Sequence, residues 1–375
     1  MIKSFYRKLR TRFKNTDLVK YYSKIESARS LPKYSISQDD KGRSIVFLSP
    51  AVNIAVGGIK VIYNHVSAIN SLDYQLTASV LHPFDKTFRC TWFEHSAILK
   101  TSLEFNLVND FAIIPEVWAI PHAKLLHDLG IRYGIYVQNG YVITANGGTE
   151  LDAAYKNSDL ILAISDDTAE CIKIAYPECS GKVYRTHYSV NSDKFSASLD
   201  KENVICYMPR KLKKHSELVI AFLAKNLPSH WKIESIDGID EHAVARIFGR
   251  SKIFLSFSEF EGCPLPPVEA GLSGCQVIGY TGEGAKEYWD KEIFSEIHSG
   301  DIRSFTRCIL EKVAEIDRTT FSNHPSAIKK LADTFSSKAE LSDMQSLSLK
   351  VVNILNSTAG LNRAAASTTP LTDVG

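Results

Sequence analysis

The strongest constraint on the fold is a series of short β-branched and aromatic runs that alternate with helix-forming stretches. The runs are continuous rather than alternating in polarity, which indicates parallel strands that are buried on both faces. From Ser44 onward the first series is "SIVFLSP", "YQLTASVLHP", "FAIIPEVW", "YGIYVQNG", "DLILAIS" and "KVYRTHYSV". The second series is "NVICYMP", "WKIESIDGI", "KIFLSFS", "CQVIGYT" and "IFSEIHSGD".

Two successive β-α series predict an α/β protein with two doubly wound, Rossmann-like domains that face each other across an interdomain cleft. A chain of 375 residues is long enough for both. We place the domains at residues 36–195 and 200–340, joined by the polar linker "NSDKFSASLDKEN". Residues 357–375 are small, polar and aperiodic, and are predicted to be a disordered tail.

The charge is unevenly distributed along the chain. The net charge is only +2, which argues against a nucleic-acid partner for the whole molecule. Residues 1–35 form a basic N-terminal segment, with ten Lys or Arg up to Lys33. Its first 30 residues are either an amphipathic helix on an anionic membrane surface or a solvated basic helix or packing arm. The apolar positions at helical spacing are Ile2, Phe5, Tyr6, Leu9 and Phe13.

Cysteine usage and hydropathy predict the compartment. The seven cysteines are scattered and contain no C-x-x-C pair, which argues against a disulfide framework and a zinc site. No apolar run approaches the ~18 residues of a membrane-spanning helix, and the N-terminus lacks the apolar core of a secretion signal. We therefore expect a cytoplasmic protein, peripheral on the inner face of the membrane if the basic segment binds lipid.

Two glutamates bracket the loop in "SFSEFEGCPLPPVEAGLSGCQVIGY". Glu261 is expected at the carboxyl end of a strand, where doubly wound folds hold ligands. Pro266 and Pro267 are suited to open a helix, with Glu269 and free N–H groups in its first turn. Two ionised carboxylates suit a polyhydroxylated ligand, because each accepts hydrogen bonds from neighbouring hydroxyls. The alternative is that both are ordinary loop and helix-start residues.

The spacing of Glu261 and Glu269 closely resembles the E-x7-E signature of retaining, GT-B-type group 1 (family 4) glycosyltransferases. Further similar pieces occur in the expected order, so that the resemblance spans about Ser44 to Val351. It implies a GT-B architecture in which residues 341–356 form a helix that crosses back to the N-terminal domain. The pieces are "GGIKVIYNHVSAI", "SDLILAISDDTAECI", "KVYRTHYSVNSDKF", "GYTGEGAKEYW" and "SGDIRSFTRCILEKV".

The resemblance also implies roles for individual residues. Glu269 would hold the ribose hydroxyls of a nucleotide sugar, and Glu261 would face the transferred sugar as a catalytic residue. Pro264 departs from the glycine that relatives often have there, and proline has no N–H to donate. The remaining donor-binding residues would be Gly262, Cys263, Pro264, Leu265 and Gly284.

A diphosphate leaving group needs positive charge where its negative charge develops. The stretch "RKLKKHSE" follows a predicted strand, and Arg210 and Lys214 are our candidates for catalytic phosphate ligands, against a solvated basic turn. The resemblance places a lysine five residues after the arginine, where this chain has His215. That histidine is a further candidate.

The acceptor side is expected in the N-terminal domain, at Gly57, Gly58, Gln138 and Asn139. Glycine lets a backbone approach a ligand closely, although a glycine pair is often only a turn. Many relatives have a histidine where this chain offers the two amides. His122 and His127 lie upstream and are expected on a helix.

The sequence thus predicts a hexosyltransferase-type enzyme that moves a sugar, with retention, from a nucleotide-diphosphate sugar to a hydroxyl of a glycan or lipid-linked acceptor in surface polysaccharide synthesis. No D-x-D pair follows a strand, so we expect no metal or other cofactor. The alternatives are a noncatalytic GT-B-fold sugar- or nucleotide-binding partner of a glycosyltransferase assembly, an epimerase of similar architecture, and a glycoside hydrolase with two carboxylates. The basic cluster and the two-domain plan argue against the hydrolase. The nucleotide, sugar, linkage, acceptor and oligomeric state stay open.

Overall fold

A computed structural model describes residues 31–39, 42–72, 74–145, 147–197 and 200–357. Residues 1–30 of the predicted basic segment (1–35) and residues 358–375 of the predicted tail (357–375) lie outside the described residues. The chain divides into two compact units, one formed by residues up to Thr186 together with those from Glu340, the other by His187–Ala339. Among the helices that the structure describes, none is both long and apolar enough to cross a membrane.

The first unit is built on a parallel sheet with the strand order β4-β3-β2-β6-β7-β8-β9, and a small parallel pair of β1 and β5. β6 and β7 are buried along their whole length, which explains why their sequences are apolar without alternation. The strands are β1 (Ser35–Ile36), β2 (Arg43–Leu48), β3 (Leu76–Leu81), β4 (Leu99–Lys100), β5 (Glu104–Phe105), β6 (Asp110–Pro115), β7 (Arg132–Val137), β8 (Leu160–Ala163) and β9 (Val183–Arg185).

Helices connect these parallel strands. α1 follows β2 as predicted and buries an apolar face that includes Ile59, Ile62 and Val66. The helices are α1 (Gly57–Ser71), α2 (Ala119–Asp128), α3 (Thr149–Asn157), α4 (Asp166–Ala175) and, near the end of the chain, α10 (Ser337–Asn356), with 3-10 turns at Glu116–Trp118, Gly140–Val142 and Pro177–Lys182.

The second unit repeats the plan with the parallel strand order β11-β10-β12-β13-β14. Its core is closed by α8, whose Phe305 and Ile309 are fully buried against the sheet. The elements are β10 (Glu202–Tyr207), α5 (Lys213–Asn226), β11 (Lys232–Ser235), α6 (Glu241–Arg250), β12 (Ser251–Glu261), α7 (Leu265–Leu272), β13 (Gln276–Glu283), a 3-10 turn (Lys286–Tyr288), β14 (Phe294–Glu296), α8 (Ile302–Arg318) and α9 (Pro325–Thr334).

The chain enters the second unit after Thr186, ahead of the predicted linker. β9 has ended by then, and the N–H of Val190 already donates to the carbonyl of Phe335 within the second unit. α10 begins at Ser337, four residues before the predicted start, and its residues from Glu340 belong to the first unit.

In both sheets the strand order reverses next to the first strand of the series. The reversal lies between β2 and β6 in the first unit and between β10 and β12 in the second. In open parallel sheets the carboxyl edge at such a switch point is where ligands bind. The strand order therefore predicts two candidate ligand-binding edges, one in each unit.

Candidate functional site

The switch point of the second unit is occupied by an ion pair. Glu261 is the last residue of β12, as predicted, and Lys211 lies in the turn after β10. The ammonium of Lys211 donates a hydrogen bond to Glu261 Oε2. The other carboxylate oxygen, Oε1, is buried and has no hydrogen-bond partner. Such an oxygen is costly to leave unsatisfied, and it can accept a hydrogen bond from a ligand hydroxyl.

Left-handed backbone occurs at three positions around this edge. Leu212, the N-cap of α5 in the connection that follows β10, has a φ of 47°. Phe260 lies near the end of β12 with a φ of 47°, and Glu283 ends β13 with a φ of 70°. Side chains other than glycine rarely adopt this left-handed region, and such strain clusters at functional sites. Phe260 is also 56% exposed beside Glu261. These observations independently point to the edge that the glutamate motif indicates.

Gly284 shapes the loop that follows Glu261. Its N–H donates to the carbonyl of Glu261 at 3.1 Å, and a Cβ atom at this position would lie 1.8 Å from the carbonyl oxygen of Gly262. No larger residue fits without moving the backbone. Because the N–H of Gly284 is used within the loop, the structure gives this predicted donor-binding residue a shaping role.

Two buried tyrosines hold the same loop from behind. The hydroxyl of Tyr288 donates to the carbonyl of Pro264 at 2.9 Å, and the thiol of Cys263 lies 3.6 Å from the hydroxyl of Tyr188. Burial raises the pKa of both tyrosines well above its ordinary value, so both remain neutral phenols. These two contacts therefore fix the conformation of the loop.

The prediction that Glu269 lies in the first turn of the following helix is wrong. α7 begins at Leu265 with Pro264 as its N-cap, which places Glu269 fifth in the helix, in the second turn, with only 8% of its surface exposed. The first turn also contains Pro266 and Pro267, which lack an N–H. The helix start therefore offers a phosphate far fewer amide donors than the sequence analysis assumed.

The basic side chains of the turn after β10 differ in their exposure and in their contacts. Arg210 is exposed, and Lys214 is exposed at the second position of α5. His215 Nδ1 lies 3.2 Å from the hydroxyl of Tyr280, and its ring meets the tyrosine ring edge-on. Lys211, which we did not select from the sequence, is the lysine that contacts Glu261. Several cations within six positions could not be ranked without the geometry of the turn.

The switch point of the first unit brings together two of the predicted acceptor-side residues. Gln138 Nε2 donates to the carbonyl of Gly58 at 2.9 Å, and a Cβ atom on Gly58 would lie 2.3 Å from Gln138 Oε1. Gly57 is the first residue of α1. The side chain of Asn139 accepts from the N–H of Tyr141 and caps a 3-10 turn, so its carbonyl oxygen is already engaged.

Glu116 is a residue of this edge that the sequence analysis missed, because it looked like part of the run "FAIIPEVW". It directly follows β6, and its Oε1 accepts a hydrogen bond from the N–H of Asn139 at 3.1 Å. Loss of solvation raises its pKa to about 7, against hydrogen bonds from backbone N–H groups that lower it. A carboxyl group that titrates near neutrality thus lies against the loop that carries Gln138.

His122 and His127 lie on α2, as expected. His122 is fully buried, its Nδ1 is 2.7 Å from the hydroxyl of Tyr34, and burial lowers its pKa to about 3. It is therefore a neutral core histidine. His127 lies in the last turn of the helix.

No protein-family model matches the chain. A segment of 94 residues is 32% identical to an alpha-1,6-glucosyltransferase of Actinobacillus pleuropneumoniae serotype 7 (strain AP76). The match covers 24% of this chain and 28% of that protein, so it spans less than a third of the relative's length.

Solved structures share the architecture over most of the chain. Anabaena HepE in complex with UDP has a TM-score of 0.61 at 10% identity, and sucrose-phosphate synthase from Thermosynechococcus elongatus 0.59 at 12%; each comparison covers 83% of this chain and 100% of the other. The lipopolysaccharide outer core galactosyltransferase WaaB, in its apo form, has a TM-score of 0.56 at 17% identity, over 81% of this chain and 99% of that chain. The chain therefore has the GT-B fold of these glycosyltransferases, which confirms the predicted fold class.

Proposed function

We propose that this protein is a glycosyltransferase that moves a sugar from a nucleotide-diphosphate sugar to an acceptor hydroxyl. The observation that carries the proposal is Glu261, whose buried Oε1 has no hydrogen-bond partner at the switch point of the second sheet, beside the ammonium of Lys211. The carboxylate oxygen can accept a hydrogen bond from a sugar hydroxyl, and the ammonium can bind a phosphate. Together at one ligand-binding edge they suit a sugar that is linked to a phosphate. The relatives support the class, since HepE has been solved with UDP and with UDP-glucose.

In this proposal the donor lies along the carboxyl edge of the second unit. Glu261 accepts hydroxyls of the transferred sugar, and Glu269 holds the ribose. The N–H groups of Gly262, Cys263 and Leu265 face the sugar and phosphates. Gly284 and Pro264 act by fixing the shape of that loop, through the contacts with Glu261 and Tyr288.

The proposed reaction proceeds with retention. The bond between the anomeric carbon and the phosphate oxygen breaks, and its electron pair stays on the diphosphate. The acceptor oxygen bonds to the anomeric carbon from the same face through an oxocarbenium-like state. Its proton passes to the departing phosphate oxygen, so the step requires no general base. Positive charge near the leaving group stabilises the developing negative charge.

We propose that this charge comes from the basic turn after β10 without a divalent metal. Lys211 and Arg210 are adjacent there, and Lys211 reaches the switch point. EDTA should then leave transfer unchanged. Loss of activity with EDTA and its return with added Mg²⁺ or Mn²⁺ would contradict this part of the proposal.

We propose that the acceptor uses the switch point of the first unit, where Gly57, Gly58 and Gln138 meet and where Asn139 lies against Glu116. The acceptor would be a glycan or lipid-linked glycan of a surface polysaccharide, taken at the cytoplasmic face of a membrane by way of residues 1–30. If so, a chain without residues 1–30 should lose binding to anionic liposomes. Equal binding of both chains would remove the membrane part of the proposal.

The central test is calorimetric titration with UDP, GDP, ADP, TDP and their glucose or galactose derivatives, followed by a transfer assay. We expect one diphosphate to bind, about 10-fold or more weaker after Glu269→Ala, because hydrogen bonds to a charged group contribute about 1.5–3 kcal/mol. Glu261→Gln should bind the nucleotide and lose transfer. The exposed Glu315→Ala is the matched control. Absence of nucleotide binding would contradict the proposal and favour a noncatalytic binding partner.

A further inference from the structure

We propose that Lys211 serves two anions in turn, the Glu261 carboxylate and the diphosphate of the donor, so that donor binding takes the lysine from Glu261. This inference rests on the proposed function and assigns the cation of the leaving group to a residue that neither the sequence motif nor the resemblance selected. It replaces Lys214 in that role. Lys211 would be a catalytic residue because its ammonium contacts the leaving group.

The position of Lys211 is the first support. It lies in the turn that connects β10 to α5, and β10 and β12 are the two strands that flank the switch point. The turn ends at Leu212 in a left-handed conformation, with a φ of 47°. A lysine carries a compact charge on a flexible stem, and the side chain of Lys211 is 46% exposed. It can therefore reach both the carboxylate that it contacts and a phosphate at the same edge.

The second support is the scarcity of backbone donors for a phosphate. Pro264, Pro266 and Pro267 have no N–H, and the N–H of Gly284 is used by the carbonyl of Glu261. A helix start with free N–H groups binds anions well, but the start of α7 has few such N–H groups. The loop N–H groups assigned above to the sugar and phosphates carry no net charge, so the charge of a diphosphate must be met mainly by cationic side chains.

The third support is that two of the other candidates near the turn already contact a side chain elsewhere. Lys213 lies 3.8 Å from Glu217 on the exposed face of α5, and His215 is hydrogen-bonded to Tyr280. Lys214 is exposed at the second position of the helix. Lys211 is the lysine of this turn whose ammonium lies on the carboxylate at the end of β12.

Competition between two anions for one ammonium has a measurable signature. Removing the ammonium should weaken diphosphate binding. Removing the charge of Glu261 should strengthen it, because the competing anion disappears and a like charge near the phosphates is lost. A lysine that only stabilises the loop would give no such pair of opposite effects.

The test uses the full chain and the nucleoside diphosphate that binds most tightly among UDP, GDP, ADP and TDP, together with its nucleoside and inorganic pyrophosphate. Lys211→Met should weaken the diphosphate and pyrophosphate about 10- to 100-fold and leave the nucleoside unchanged. Glu261→Gln should tighten diphosphate binding at least about 3-fold. The matched control Lys213→Met, which removes the same charge two residues away, should stay within about 2-fold at ~0.15 M salt.

The outcomes separate this inference from the function on which it rests. If the wild type binds a nucleoside diphosphate and Lys211→Met binds it equally well, the role of Lys211 is refuted and the proposed function stands. The same holds if Lys214→Met causes the larger loss or if Glu261→Gln weakens binding. If the wild type binds no nucleoside diphosphate, both fail. Circular dichroism of each variant confirms that the comparison is between folded proteins.

Discussion

His65 and Glu340 form a buried pair in the core of the first unit, with His65 Nδ1 2.6 Å from Glu340 Oε1. The other ring nitrogen of His65 lies 2.9 Å from the hydroxyl of Tyr136, which accepts in turn from Thr186 at 3.3 Å. Thr186 and Glu340 are the residues at which the chain leaves and re-enters this unit. The network therefore anchors both crossing points to the sheet and to α1.

We expect Glu340→Ala to destabilise the first unit by about 1–3 kcal/mol, because it leaves the buried Nδ1 of His65 without a hydrogen-bond partner. Urea unfolding together with hydrogen exchange of the α10 amides measures the effect. The control is Lys124→Ala, which breaks an exposed pair with Asp128 and should change stability by less than about 1 kcal/mol. Similar values for the two variants would show that the buried network does not hold α10.

Gly284→Ala should remove nucleotide binding and lower stability, because its Cβ would lie 1.8 Å from a backbone oxygen of Gly262. We expect a loss of more than about 2 kcal/mol, since backbone must move. Gly249→Ala is the control in the same unit: it has open space and lies in a helix, so it should stabilise by about 0.5–1 kcal/mol. Thermal unfolding with and without nucleotide distinguishes the two. Unchanged binding by Gly284→Ala would contradict the loop geometry.

Gly58→Ala should displace the side chain of Gln138, whose Oε1 would lie 2.3 Å from the new Cβ. The obstacle is the end of a flexible side chain, so we expect a loss of about 1–2 kcal/mol. In a transfer assay the acceptor KM should rise while nucleotide binding stays constant. The double variant Gly58→Ala with Gln138→Ala should regain stability relative to Gly58→Ala alone. If the double variant instead lost the sum of the stability losses of the two single variants, the contact between Gly58 and Gln138 would be contradicted.

Glu116 predicts a pH dependence of stability. Its pKa is raised from 4.5 to about 7, so the folded protein keeps a proton that the unfolded chain has lost above pH 4.5. This contribution to stability is lost as pH rises from about 4.5 to 7, by about 3 kcal/mol in total. Glu116→Gln should therefore gain stability relative to the wild type over that range. A difference that stays constant between pH 5 and 8, measured by urea unfolding, would contradict the raised pKa.

Features that depend on a local pattern of residues could be predicted from the sequence. Short runs rich in β-branched and aromatic residues predict strands, and each run named above contains a strand of a parallel sheet. The position of Glu261 at the end of β12 followed from the same pattern. Gly58 and Gln138 were each selected separately, and their direct hydrogen bond could not be derived from residues 80 positions apart.

The sequence by itself determined the two parallel sheets and the edge that holds the glutamate motif, because strand burial and the residue that ends a strand are local properties. The tertiary structure decided which lysine reaches Glu261, that α7 begins early enough to put Glu269 in its second turn, and that Glu116 lies against Asn139. These outcomes depend on how neighbouring strands bring separate loops together and on backbone conformations such as that of Leu212. A residue's contacts across a sheet edge are set by strand order, and strand order is fixed only when the whole sheet packs.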